Sequence, residues 1–209
     1  MTEPQETVAV VVVTFNRAAL LARMLAGRYD FLGPAVVAED DEQRLCFPIR
    51  LPGTATVVHD IGDVERAAGD GVLVTRELAL RIGLPREEFF IWGDDVEYLW
   101  RARKAGARVG TVVDAHFLHP ATDDLGTPLM FGRTTYNHSP SDLKHYCMAR
   151  NNLVNLRDYK GWPHALAFVA KTAWFYTLTK WQPRRLPMSA RAAYAGLRGD
   201  FTGHRKYLR

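Results

Sequence analysis

The 209-residue sequence predicts an α/β domain, with a mostly parallel sheet flanked by helices, followed by a C-terminal helical extension. Three features carry that prediction. Residues 8–13 form an unbroken β-branched and small run (Val8, Ala9, then Val10 to Val13), the pattern of a strand buried on both faces in a parallel sheet. The polar turn Thr14-Phe15-Asn16-Arg17 and the helix-forming residues 18–26 follow it, giving the strand, turn and helix that open nucleotide-binding α/β units. The charge then changes sign along the chain. Residues 161–209 hold nine Lys/Arg against one acid, Asp200, whereas residues 1–160 hold 18 basic and 22 acidic groups.

Length and composition bound the reading. The chain suffices for one sizeable domain, or one domain with an appendage; here these are residues 1–160 and the basic amphipathic tail 161–209. Hydrophobic residues at 47% and charged residues at 24% match ordinary globular usage and exclude fibrous repeats. A net charge of +4 concentrated in the tail points to a surface partner for that tail, and not to nucleic acid. Cys46 and Cys147 are too far apart in sequence to suggest a zinc motif or a disulfide framework, which fits a reducing cytosol. Thr2-Glu3-Pro4-Gln5-Glu6 offers no basic leader, so no secretory signal is expected. The longest apolar stretch, 162–181, is interrupted by His164 and Lys171, so no spanning helix is expected.

After the first helix, Gly27 acts as a stop. Residues 30–37 are apolar but broken by Gly33-Pro34, with an acidic turn at 39–42. Residues 45–65, with Pro48, Pro52 and Gly53, read as an irregular loop or hairpin. Residues 71–75 read as a short strand, and 76–82 as a helix ended by Gly83 and Pro85. The dense apolar piece Phe89-Phe90-Ile91-Trp92 stops at Gly93-Asp94-Asp95, ahead of a basic helix over 96–105. Residues 108–115 read as a strand and 141–158 as a helix.

Gly93-Asp94-Asp95-Val96-Glu97-Tyr98 sets two adjacent carboxylates at a helix start. Their plain role is N-capping and complementing the helix dipole. The same N–H groups also keep a carboxylate ionised, as a general base requires. His116 and His119 lie three apart on an extended segment and so face opposite ways; neither pairs with the other on a metal, and both read first as ordinary histidines. Arg150-Asn151-Asn152 reads first as an exposed polar helix face. No glycine-rich phosphate loop accompanies Thr14 to Arg17, which excludes a Rossmann or P-loop assignment.

In this order, these segments resemble family 2 inverting glycosyltransferases of the GT-A fold. Val8 to Arg17 resembles that family's first strand and uridine-binding turn; Val74-Thr75-Arg76-Glu77 with Arg81-Ile82-Gly83 resembles the strand and helix beside the acceptor. Phe89 to Tyr98 resembles the motif of the catalytic base. Asp114-Ala115-His116-Phe117-Leu118-His119-Pro120 and His145-Tyr146-Cys147-Met148-Ala149-Arg150-Asn151 extend the likeness to about residue 160. Leu45-Cys46-Phe47-Pro48-Ile49-Arg50 and Leu118-His119-Pro120 are most similar to galactofuranosyltransferases of actinobacterial cell-wall synthesis within that family.

The resemblance implies roles. Asp95 would be the base that deprotonates the acceptor hydroxyl, and Asp94 the neighbour that holds it. Thr14, Phe15, Asn16 and Arg17 would surround uracil and ribose, with Trp92 and Arg150 as further substrate contacts. His119 would complete a site for a divalent cation, Mn2+ or Mg2+. The implied partners are a UDP-sugar, with galactofuranose ahead of rhamnose, and a polyprenyl-linked glycan acceptor at the inner face of the plasma membrane. The chain departs from the family at residues 26–31. Ala26-Gly27 passes straight to Arg28-Tyr29-Asp30-Phe31, where the family has the strand ending in Asp-x-Asp that holds metal and diphosphate. A non-catalytic remnant binding a glycolipid or a partner protein is therefore the alternative. In the tail, Trp162, Leu166, Val169, Ala173 and Tyr176 draw one apolar helical stripe, either packed on the domain or laid on an anionic membrane surface.

Overall fold

The computed structural model describes residues 27, 29–50, 57–61, 73–119 and 126–208. The predicted first strand, the turn Thr14 to Arg17 and the first helix lie outside these residues. The described elements are β1 (Phe31–Ala38), β2 (Asp41–Arg50), β3 (Val57–Asp60), β4 (Leu73–Val74), α1 (Arg76–Ile82), α2 (Asp94–Lys104), β5 (Val109–His119), β6 (Thr127–Leu129), β7 (Thr134–Tyr136), α3 (Asp142–Lys160), α4 (Trp162–Trp174) and α5 (Leu186–Leu197).

β1 organises the main sheet. It pairs in parallel with β5 along its whole length, from Phe31 opposite Val109 to Ala38 opposite His119. Its other edge is shared by β4, antiparallel at Phe31 and Leu32, and β2, antiparallel at Val37 and Ala38. β3 adds to β2, again antiparallel. The described sheet is thus mixed, and the expectation of a mostly parallel sheet is corrected for these residues. The reason is local: only Glu39 and Asp40 separate β1 from β2, and so short a connection permits a hairpin but no crossover. Gly33-Pro34 does not break the strand as expected. Pro34 has no N–H to give a ladder, and it sits between the stretches paired to β4 and to β2, at the bulge where the β5 register shifts.

Apolar residues of the strands feed two cores. Ala35, Val37, Leu45, Val58 and Ile61 cluster together. Phe31 joins Leu78 of α1 and Tyr98, Leu99 and Ala102 of α2. Asp30 fastens the start of this layer: its carboxylate accepts the Arg108 backbone N–H at 2.8 Å and two guanidinium contacts at 3.1 Å. Those bonds hold the Asp30 carboxyl below its usual range.

The extension is helical, as predicted. Both α4 and α5 pack on α3. Phe175 and Tyr176 join Leu129, Tyr136 and Met148, and Ala192 joins Tyr146 and Ala149. A π-helical turn at Phe175–Thr179 follows α4; Phe175 and Tyr176, three and four residues after buried Thr172, continue its inward face into the core. No helix among the described residues is long and apolar enough to cross a membrane.

Candidate active site

The site is built on the loop that precedes α2. After a 3-10 turn at Glu87–Phe89, Phe90, Trp92 and Gly93 adopt φ of 66°, 70° and 82°. Left-handed backbone costs a residue with a Cβ about 1–2 kcal/mol, so two of these three positions are held against their preference. Gly93 takes the third without that penalty and is the residue flanking α2.

What holds the loop is α3. The Asn151 amide nitrogen donates to the carbonyls of Phe89, Ile91 and Trp92 at 3.0, 3.1 and 2.8 Å. One turn on, Asn155 donates to the Gly93 carbonyl at 2.8 Å. Arg150 donates through Nη2 to the Phe89 carbonyl at 3.0 Å and through Nη1 to the Phe201 carbonyl at 2.8 Å, while its Nε reaches Asn151 Oδ1 at 2.8 Å. All three side chains are buried. The extension covers the loop from the other side: Phe201 stacks on Phe89 and His204 on Phe90.

This corrects the reading of 150–152 as an exposed polar face at its first two residues. Arg150 is fully enclosed, and its guanidinium donates to the backbone carbonyls of Phe89 and Phe201, which ties the loop to the extension. Asn155, not singled out from the sequence, completes the set. The sequence carries no clear signal for it: His145, Arg150, Asn151, Asn152 and Asn155 are all polar within residues 145–155 of α3, so polarity there does not single Asn155 out.

The loop delivers Asp94 and Asp95 to the first turn of α2. Neither caps the helix: the flanking residue is Gly93, with no side-chain cap. Asp95 instead accepts the N–H of its neighbour Val96 at 2.8 Å, and the residue is exposed. Its carboxyl is pushed above the ordinary aspartate range, chiefly because the surrounding protein displaces water from it, and further by the adjacent Asp94 charge; the N–H groups of Val96, Asp95 and Gly93 pull the other way. The expected dominance of those N–H groups is thus reversed. Two residues on, Glu97 is buried and receives Arg101 through two bonds, at 2.7 and 3.1 Å, with a third from the Tyr159 hydroxyl. Arg101 also reaches the carbonyls of Ile82 and Leu84, so α1, α2 and α3 are tied at one point beneath the aspartates.

Trp92 is half-buried against the cluster of Leu129, Tyr136, Met148 and Phe175. His119 closes β5 opposite Ala38; its carbonyl accepts the Glu39 N–H and the Cys46 thiol. His116 lies 3.5 Å from Glu42. Among the described residues, no group of three or more His, Cys, Asp or Glu side chains is arranged to hold a metal. The described residues therefore do not supply a donor set for the divalent cation that the resemblance implies.

Comparison with known proteins bears on this geometry. The chain is 28% identical over 212 residues to a protein named galactofuranosyltransferase GlfT1 from Mycobacterium tuberculosis, covering 88% of this chain and 65% of the relative. It is 29% identical over 132 residues to the protein of the same name from Mycolicibacterium smegmatis, covering 57% of this chain and 44% of the relative. The chain thus spans less than two thirds of the length of these relatives. No protein-family model and no solved structure matches it. The two likenesses support a glycosyltransferase relationship.

Proposed function

We propose that the chain transfers galactofuranose from a UDP-sugar to a hydroxyl of a polyprenyl-linked glycan, with inversion at the anomeric carbon. The observation that carries this reading is Asp95: an exposed carboxylate with raised affinity for protons, on a loop locked by Asn151, Asn155 and Arg150, in a chain similar to galactofuranosyltransferases. Asp95 removes the proton from the acceptor hydroxyl. That oxygen attacks the anomeric carbon, and the bond from this carbon to the diphosphate oxygen breaks, so that UDP departs with the electron pair on the opposite face. Asp94 lies beside the base, where it can hold the acceptor hydroxyl.

The direct test incubates the protein with UDP-galactofuranose and a polyprenyl-linked disaccharide, and reads the product by mass spectrometry. Addition of one hexose, absent when Asp95→Asn is used, is the expected result. Transfer from a nucleotide-activated rhamnose supplied in a parallel reaction, with none from UDP-galactofuranose, moves the protein to the sister activity. Binding of the lipid-linked glycan with no transfer, with or without added Mn2+ or Mg2+, overturns the enzyme reading in favour of a non-catalytic glycolipid binder.

A further inference from the structure

α4 buries one side only. Ala165 and Thr172, with Phe175 and Tyr176 of the π-helical turn after it, turn inward, and Phe168 and Trp174 pack at the margin of that core. The other side is apolar and faces water: Trp162 is 52% exposed, Leu166 61% and Val169 45%, with Ala170 and Ala173 exposed among them. Of the expected stripe, only Tyr176 belongs to the core. At one helical period these exposed residues fall on a single face, and the core does not use it.

The face continues beyond the helix. Leu178 is 53% exposed and Trp181 78%. Trp181 is held outward by its turn, in which the N–H groups of Lys180 and Gln182 return to the carbonyls of Phe175 and Tyr176. The tryptophan ring is thus presented by fixed backbone at φ 51°. A tryptophan stands at each end of this surface, the residue type that prefers the boundary between water and lipid.

Charge selects the occupant. Residues 161–199 contain six Lys/Arg and no Asp or Glu; of these, Lys180, Arg184, Arg191 and Arg198 are exposed. An apolar helix face bordered by cations, with every acid excluded, matches an anionic lipid surface. We infer that α4 and the Trp181 turn lie flat on an anionic bilayer, with Trp162, Leu166, Val169 and Trp181 inserted among the headgroups and the basic residues of 180–198 above the lipid phosphates. The inference stands on exposure and charge alone and does not rest on the transfer reading.

The test needs neither donor nor acceptor. The whole protein is sedimented with phosphatidylcholine vesicles containing about 30% phosphatidylglycerol, and with pure phosphatidylcholine vesicles. Binding to the anionic vesicles that weakens between about 0.1 and about 0.5 M salt is expected. Leu166→Gln with Val169→Gln changes two exposed positions, and Trp181→Asn keeps a residue that tolerates its backbone; each should lower partitioning, the pair by roughly tenfold, with unchanged thermal unfolding. Wild-type protein that stays in the supernatant with both vesicles overturns the inference, as do variants that sediment like wild type. So does a wild-type dimer that ignores vesicles and becomes monomeric in the glutamine variants, since the face would then join two copies of the chain.

Discussion

The Asn155 side-chain nitrogen lies 2.8 Å from the Gly93 carbonyl, tying the last residue before α2 to the middle of α3. The Asn155 oxygen is buried without a hydrogen-bond partner, so the side chain accepts an unmet polar atom to make this one bond. Buried polar groups are rarely left unsatisfied, because each costs about 1–3 kcal/mol. The arrangement makes sense as a positioning device: Asn151 and Asn155, one turn apart, hold the carbonyls of Phe89, Ile91, Trp92 and Gly93 in the loop that aims Asp94 and Asp95.

Asn151→Ala should be severe, because it removes three bonds at once, and only the Phe89 carbonyl keeps a side-chain donor, from Arg150. A loss of about 2–4 kcal/mol is expected, given the cost of orphaned buried acceptors. Urea unfolding measures it. Asn151→Asp should be worse than Ala, since it sets a carboxylate against the same carbonyls.

Gly93→Ala should cost about 1–2 kcal/mol through its left-handed backbone, and more through crowding. A Cβ there would sit 3.3 Å from the Asn155 nitrogen and 3.5 Å from the Asn152 oxygen. Combining it with Asn155→Ala relieves the crowding and leaves the backbone cost, so the two losses should sum to more than the double variant shows. Thermal unfolding of the four proteins checks this.

Local signals made several elements legible. Thr75 caps α1 by accepting the Leu78 N–H, and Gly83 ends it, giving the predicted bounds; Ser141 likewise starts α3. The helix expected over 96–105 begins two residues earlier, at Asp94, because Asp94 and Asp95 have the chemistry of caps whereas the flanking residue is Gly93. The apolar run Phe89-Phe90-Ile91-Trp92 shows no left-handed signal, since those conformations are imposed by distant Asn151 and Arg150. The sheet divides in the same way: the β1–β2 hairpin follows from the two-residue connection Glu39-Asp40, whereas the parallel pairing of β1 with β5 sets Phe31 opposite the distant Val109, which composition does not encode. The site residues from Thr14 to Arg17 lie outside the described residues.

Acid should loosen the junction between α3 and the extension. His145 is buried, with its ring between the Ser189 and Tyr176 hydroxyls, each at 2.9 Å. Burial, and then the Arg185 charge, depress its pKa from 6.5 to about 4. In the unfolded chain it takes a proton near 6.5, whereas the folded protein refuses one until about 4. Stability therefore falls as pH drops through that window and levels below it, by about 3 kcal/mol in all. Chemical denaturation from pH 7 to 4.5 should show the decline, and His145→Gln should flatten it.

The base assignment has its own pH signature. A general base works only when deprotonated, and Asp95 binds its proton more tightly than an ordinary aspartate of pKa 3.8. The acid limb of kcat/KM should therefore lie above that value. Asp94 supplies part of the shift through its charge, so Asp94→Asn should move the limb toward lower pH even where it also weakens acceptor binding. Asp95→Asn should cut transfer by at least about a hundredfold, the scale of one acid–base group, with unfolding unchanged, because Asn keeps the shape and can still accept the Val96 N–H. An Asp94→Asn profile whose acid limb stays in place would show that the titrating group is not Asp95, whatever the rate of the Asp95 variant.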